Sequence, residues 1–150
     1  MRLTPSAGGM LRKQLVDIAL EWQNNFGVAP QITTPLSEYD AAMLVGMSEA
    51  EYSSYMQDKT AVSKGSDFIY SGIRYQIKAN RPSGMAGSRV TLVPKATNYD
   101  WDKLIWILYD KHYVMQEAWE WGVASYESAF HDVKRLSPFH YREGRCLYRR

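Results

Sequence analysis

Three residues within one short stretch carry the chemistry this chain offers: Asp67, Gln76 and Lys78. In Gly65-Ser66-Asp67-Phe68-Ile69-Tyr70-Ser71-Gly72-Ile73-Arg74-Tyr75-Gln76-Ile77-Lys78, two apolar-rich runs flank Ser71-Gly72, the pattern of a tight β-hairpin. In the second run Ile73, Tyr75, Ile77 and Ala79 alternate with Arg74, Gln76 and Lys78, so Gln76 and Lys78 share one face. Pairing of the hairpin places Asp67 at the start of the neighbouring strand, near the level of Lys78. A carboxylate and an amide oxygen suit a hard divalent cation such as Mg2+, with Mn2+ as a substitute. An adjacent ammonium orients or deprotonates a water for attack on phosphorus. The plainer reading of the same pattern is a solvated polar strand face with Asp67 as a turn residue.

The order Asp, hairpin, Gln-x-Lys resembles the PD-(D/E)xK nuclease superfamily, which includes many type II restriction endonucleases. The residues that carry the likeness are Ser66-Asp67 and Gln76-Ile77-Lys78, and it extends over a preceding helix with a Glu and later hydrophobic strands, from about residue 10 to 121. Ser66 stands where Pro is usual and Gln76 where a second acidic residue is usual, so Asp67 brings the formal negative charge alone unless another carboxylate joins. The resemblance implies an α/β fold, an α/β/α sandwich with a central mixed β-sheet and a restriction endonuclease-like core. It implies a Mg2+-dependent DNA endonuclease in which Asp67, the Gln76 oxygen and the Ile77 carbonyl hold the metal, Lys78 positions the water, and Glu21 is the helical carboxylate. Cutting both strands needs two sites, so a symmetric homodimer is expected. The alternative is a non-catalytic nucleic-acid-binding or assembly subunit on the same fold; a protein-interaction domain without a nucleic-acid role stands third.

At 150 residues the chain has the size of a single domain over 1–150, and 45% hydrophobic with 23% charged residues suits a globular protein. A net charge of +2 says nothing about nucleic acid, but its distribution does. Residues 71–95 hold Arg74, Lys78, Arg81, Arg89 and Lys95 and no acid, whereas 32–62 hold five acids against Lys59. A basic C-terminal tail over 131–150 adds Lys134, Arg135, Arg142, Arg145, Arg149 and Arg150. Arg74, Arg81, Arg89, Lys134, Arg135 and Arg142 are therefore the candidate phosphate contacts. One cysteine, Cys146, excludes an internal disulfide and a Cys-based zinc cluster. No Gly-x-Ser-x-Gly, phosphate-binding Gly-rich loop or His-x-x-x-His spacing is present. Without a signal-like or membrane-spanning run, the expected protein is soluble and cytoplasmic.

The elements that must position the site follow from periodicity. After a mobile start over 1–9, Leu11, Leu15, Ile18, Trp22 and Phe26 recur at spacings of four, three, four and four, predicting a helix that buries this stripe and stops at Gly27. Glu21 beside the stripe is then directed toward the site. A helical insert over 37–59 is expected as two helices, one capped by Ser37, the other opened by the box Ser48-Glu49-Ala50-Glu51. Residues 60–64 lead into the hairpin. Residues 80–89 read as a loop, Val90–Val93 as a short strand, Leu104–Tyr109 as a central strand, Tyr113–Trp121 as its hairpin partner and Val123–Phe130 as a helix.

Overall fold

The computed structural model describes residues 5–59 and 65–150; the expected lead-in at 60–64 and the first four residues of the expected mobile start lie outside them. The apolar run near residue 105 becomes β3 (Lys103–Tyr109), the middle strand of a five-stranded sheet. With β1 (Phe68–Tyr70), β2 (Ile73–Asn80), β4 (Met115–Gly122) and β5 (Arg145–Arg149), the order is β1-β2-β3-β4-β5. β2 and β3 run parallel and every other neighbouring pair is antiparallel, so the sheet is mixed. The turn between β1 and β2 holds Ser71 at φ 51° and Gly72 at φ 76°, two left-handed residues in succession. That is the primed geometry whose twist matches paired strands.

Side-chain parity divides the sheet into two faces. Tyr75 and Ile77 of β2, Ile105, Ile107 and Tyr109 of β3, and Ala118 of β4 pack with Val16 and Ala19 of α1 (Pro5–Phe26) and Leu36 and Ala41 of α2 (Thr33–Leu44). α3 (Glu49–Asp58) lies against α1 and α2 and opens with the expected box, Ser48 Oγ accepting from Glu51 N at 3.0 Å and Ser48 N donating to Glu51 Oε1 at 2.9 Å. On the other face Leu104, Trp106 and Trp119 meet Trp101, Leu136, Tyr126 and Phe130 of α4 (Val123–Phe130), and Tyr141 of α5 (Pro138–Tyr141). Trp101, Trp106, Tyr126 and Tyr141 are fully buried. Replacing Trp106 by Ala removes a packed indole and costs about 3–5 kcal/mol.

Four expectations need correction. α1 starts at Pro5, inside the expected mobile start, and the line it turns inward is Arg12, Val16, Ala19 and Gln23 rather than the apolar stripe. Leu11, Ile18, Trp22 and Phe26 remain 48–68% exposed. The physical reason is that Arg12 and Gln23 find partners far along the chain, Asp40 and Arg81, which fixes the rotation of the helix with polar groups at both ends of its buried line. α2 begins at Thr33, so Ser37 lies within the helix with its hydroxyl on Thr34 O at 3.0 Å, and α2 is a core layer on β2 rather than an insert. Val90–Val93 forms no strand, only the isolated bridge of Val93 with Leu136. The basic tail over 131–150 holds α5 and the edge strand β5, which pairs antiparallel with β4. No helix among the described residues is long and apolar enough to cross a membrane.

Candidate functional site

β1 is short, and this shapes the site. Its last pair toward the open end is Phe68 with Tyr75, so Asp67 lies level with Gln76, one residue nearer the hairpin turn than Ile77 and two nearer than Lys78. Asp67 N donates to Tyr75 O at 2.7 Å, and Asp67 Oδ2 accepts from Ile77 N at 2.7 Å and Gln76 Nε2 at 3.1 Å. The carboxylate thus takes the place of a strand residue beside β2, which holds its direction. A strand residue presents N–H and C=O to one side, so the Ile77 carbonyl opens toward Asp67 as well. The amide of Gln76 spends its N–H on Asp67, which leaves its oxygen as the ligand-type atom. Upstream, Gly65 (φ +75°) is held where a Cβ would stand 2.5 Å from Asn98 Oδ1 and 2.6 Å from Asp100, so only glycine allows this approach.

The second carboxylate comes from α2. Glu38 joins Thr33, Thr34, Ser37, Asp67, Gln76, Ile77, Lys78, Ala79 and Pro94 around a cleft of about 270 Å³. Its carboxyl is pushed up to about 7, first by burial, then by the charge of Asp67 and a hydrogen bond with it, against a smaller opposing pull from Lys59. Burial and the neighbouring Asp67 charge both disfavour the ionised form of Glu38. The same negative field reaches Tyr52, whose phenol is raised by burial and then by Glu38 and Asp67. Lys59 holds the loop below the pair by donating Nζ to Asp67 O at 2.8 Å. Lys78 lines the cleft, half-buried, and enters no ion pair or hydrogen bond among the described residues.

Of the expected site residues, Asp67, Gln76, Ile77 and Lys78 come together and Glu21 does not. Glu21 lies on α1 beside a separate, larger cleft of about 650 Å³ with Gln23, Arg81, Gly84 and His112. The helical Glu that lines the cleft with Asp67 is Glu38 rather than Glu21. Glu38 lies on α2, with α3 between it and the hairpin, so no local spacing in the sequence tied it to Asp67. The basic candidates separate into engaged and open groups. Arg74 pairs with Asp102 (3.1 Å), Arg142 with Glu117 (2.7 Å), and Arg81 lies 4.2 Å over the Tyr113 ring while donating to Gln23 Oε1 and Lys111 O. Arg89, Lys134 and Arg135 are exposed.

No family model matches this chain, and no curated protein matches it either. No three His, Cys, Asp or Glu side chains cluster among the described residues, so a soft or zinc-type centre has no ligand set there. Glu38, Asp67, the Gln76 amide oxygen and the Ile77 carbonyl are instead all oxygen donors, the set a hard divalent cation takes. Burial first and the Asp67 charge second push the Glu38 carboxyl up to about 7.

Proposed function

We propose that this chain is a Mg2+-dependent endodeoxyribonuclease with a restriction endonuclease-like core, acting at the cleft between α2 and the β1–β2 edge. The observation that carries this reading is that Glu38, Asp67 and Lys78 line one cleft, with Lys78 in no ion pair or hydrogen bond among the described residues. Glu38 replaces Glu21 as the helical carboxylate and restores the acidic charge that Gln76 lacks. When bound, the metal acts as a Lewis acid on a phosphodiester oxygen and lowers the pKa of water.

The chain's own groups do the rest. Asp67, fixed by Ile77 N–H and the Gln76 amide, keeps its carboxylate aimed into the cleft. Glu38 would hold a cation in its deprotonated form, so metal binding would be favoured above about pH 7. Lys78, on the same face as Gln76, orients the attacking water and offsets charge that develops on phosphorus. Arg89, Lys134 and Arg135 are the exposed cations available to the DNA backbone.

Supercoiled plasmid incubated with the protein, with Mg2+ or with EDTA, tests the reading. Metal-dependent nicking that is lost in Lys78→Ala supports it. Salt-sensitive binding with no nicking favours the second reading, a non-catalytic nucleic-acid-binding or assembly subunit, for which the neutral Gln76 speaks.

A further inference from the structure

The half-buried arginines differ in what neutralises them. Arg12 pairs with Asp40 and Arg142 with Glu117, each through a 2.7 Å contact with a carboxylate. Arg81, the remaining half-buried arginine among the described residues, is fixed by neutral acceptors alone. Its Nε donates to Lys111 O at 3.0 Å, and its Nη2 donates to Gln23 Oε1 at 2.7 Å and again to Lys111 O. The guanidinium lies 4.2 Å over the Tyr113 ring. The N–H groups of Nη1 have no acceptor among the described residues. These contacts hold the planar fork still and leave its charge unanswered.

Arg81 lines the cleft of about 650 Å³ at the C-terminal end of α1, and Lys111 and His112 line it from the turn after β3. The same turn supplies the carbonyl that holds Arg81, so the three cationic side chains belong to one assembly. Gln23 joins it to α1, donating Nε2 to Ser83 O at 2.8 Å while accepting from Arg81. Gly84 (φ +87°) approaches so closely that a Cβ would stand 2.6 Å from Gln23 Nε2. The loop after β2 is thereby closed against the helix. Among the lining residues the one carboxylate is Glu21, which is exposed and forms no ion pair with a described residue. Asp110, in the same turn, spends Oδ1 on the backbone N–H groups of His112 and Val114. Two permanent cations and an imidazole against one carboxylate leave the cleft positive.

We propose that this cleft is an anion site for a phosphate monoester, with Arg81, Lys111 and His112 each taking one of its unesterified oxygens. A terminal phosphate offers three such oxygens, whereas a carboxylate or an internal phosphodiester offers two, so the terminal group matches the donor set. Arg81 supplies a fork whose geometry is set before the ligand arrives. Lys111 adds an exposed point charge. The volume lies within the roughly 300–1,000 Å³ of small-molecule sites, which leaves room for an organic body against Leu20 and Met85. A free nucleotide and the phosphorylated end of a strand present the same chemistry. Glu38, Asp67 and Lys78 line a different cleft, so the site stands independently of the nuclease reading.

Isothermal titration calorimetry on the full chain, without divalent ion, tests this with inorganic phosphate and dAMP. Both are expected to bind, dAMP about 10-fold more tightly because its body adds apolar contact. Lys111→Ala, which keeps the backbone carbonyl beneath Arg81, should weaken dAMP about 10-fold, and Arg81→Gln at least as much with unchanged circular dichroism. Lys111→Ala decides alone if Arg81→Gln does not fold. Lys13→Ala, at an exposed lysine elsewhere on α1, should change nothing. A 5′-phosphorylated oligonucleotide that binds more tightly than its 5′-hydroxyl twin assigns the site to strand ends. Equal binding of the two, with dAMP retained, assigns it to a free ligand; either result supports the proposal. Failure of both phosphate and dAMP to bind, or binding undiminished in Lys111→Ala, overturns it even where Mg2+-dependent nicking persists. Loss of dAMP binding in Lys78→Ala alone puts the anion in the other cleft and overturns it as well.

Discussion

Glu38 and Asp40 stand two residues apart on α2 and meet opposite electrostatic fates. Asp40 is buried, accepts Arg12 Nε and Nη2 at 2.7 and 2.8 Å, and takes the Tyr109 hydroxyl at 2.6 Å. Every charge there is answered. Arg12 is raised chiefly by its bond to Asp40, and burial followed by the Asp40 charge lifts the Tyr109 phenol so far that it serves only as a donor. Glu38 faces another carboxyl instead, with Lys59 as a weak counterweight. A folded chain keeps the first arrangement for its rigidity, since removing one partner strands the other. The second arrangement opposes folding, through burial first and the Asp67 charge second.

The contrast is sharpest under mutation. Lys78→Ala, on the unsatisfied side, should reduce plasmid cleavage by about 1,000-fold while the melting temperature stays put, because positioned proton-transfer and charge-stabilising groups supply about 10²–10⁴ in rate. Retained cleavage at the wild-type rate would remove Lys78 from the chemistry. Asp40→Ala should do the reverse in kind: a loss of about 2–4 kcal/mol in urea unfolding, as Arg12 and the Tyr109 hydroxyl lose their shared acceptor. A loss below ~0.5 kcal/mol would mean that the Asp40 network is not structural.

Smaller effects sharpen the comparison further. The folded chain holds the Glu38 proton up to about pH 7, while the unfolded chain releases it near the ordinary 4.5. The folded state therefore binds more protons in that window, and stability falls as pH rises through it. Glu38→Gln should raise stability at pH 8 by about 1–2 kcal/mol, less than the full shift because the group keeps contact with solvent, and should do nothing at pH 4. Equal effects at both pH values would refute the raised Glu38 carboxyl. Last, Ca2+, used to avoid turnover, should raise the melting temperature by a few degrees at pH 8 and not at pH 5, and Asp67→Asn should erase the rise. A rise that persists in that variant would place the ion elsewhere.

How legible was this in the sequence? The hairpin was, because Ser71-Gly72 and strict alternation are local signals that set both turn and facing. The level of Asp67 was not: it depends on where β1 stops pairing, which places it opposite Gln76 rather than Lys78. The capping box at Ser48 and the apolar run of β3 were equally plain. Strand β5 was hidden because Arg145–Arg149 is short, bracketed by arginines and buries only Leu147 in part, as an edge strand is free to do.

The sequence by itself determined the local elements and the residue types of the site, Asp67, Gln76 and Lys78 on one hairpin, since turn chemistry and period-2 alternation act over a few neighbours. Tertiary structure alone decided which helix supplies the second carboxylate and which side of α1 faces inward. Both turn on ion pairs and hydrogen bonds that span dozens of residues, Arg12 with Asp40 and Arg81 with Gln23. A hydrophobic stripe records that a helix wants a partner; long-range polar contacts decide whether the partner lies within the same chain.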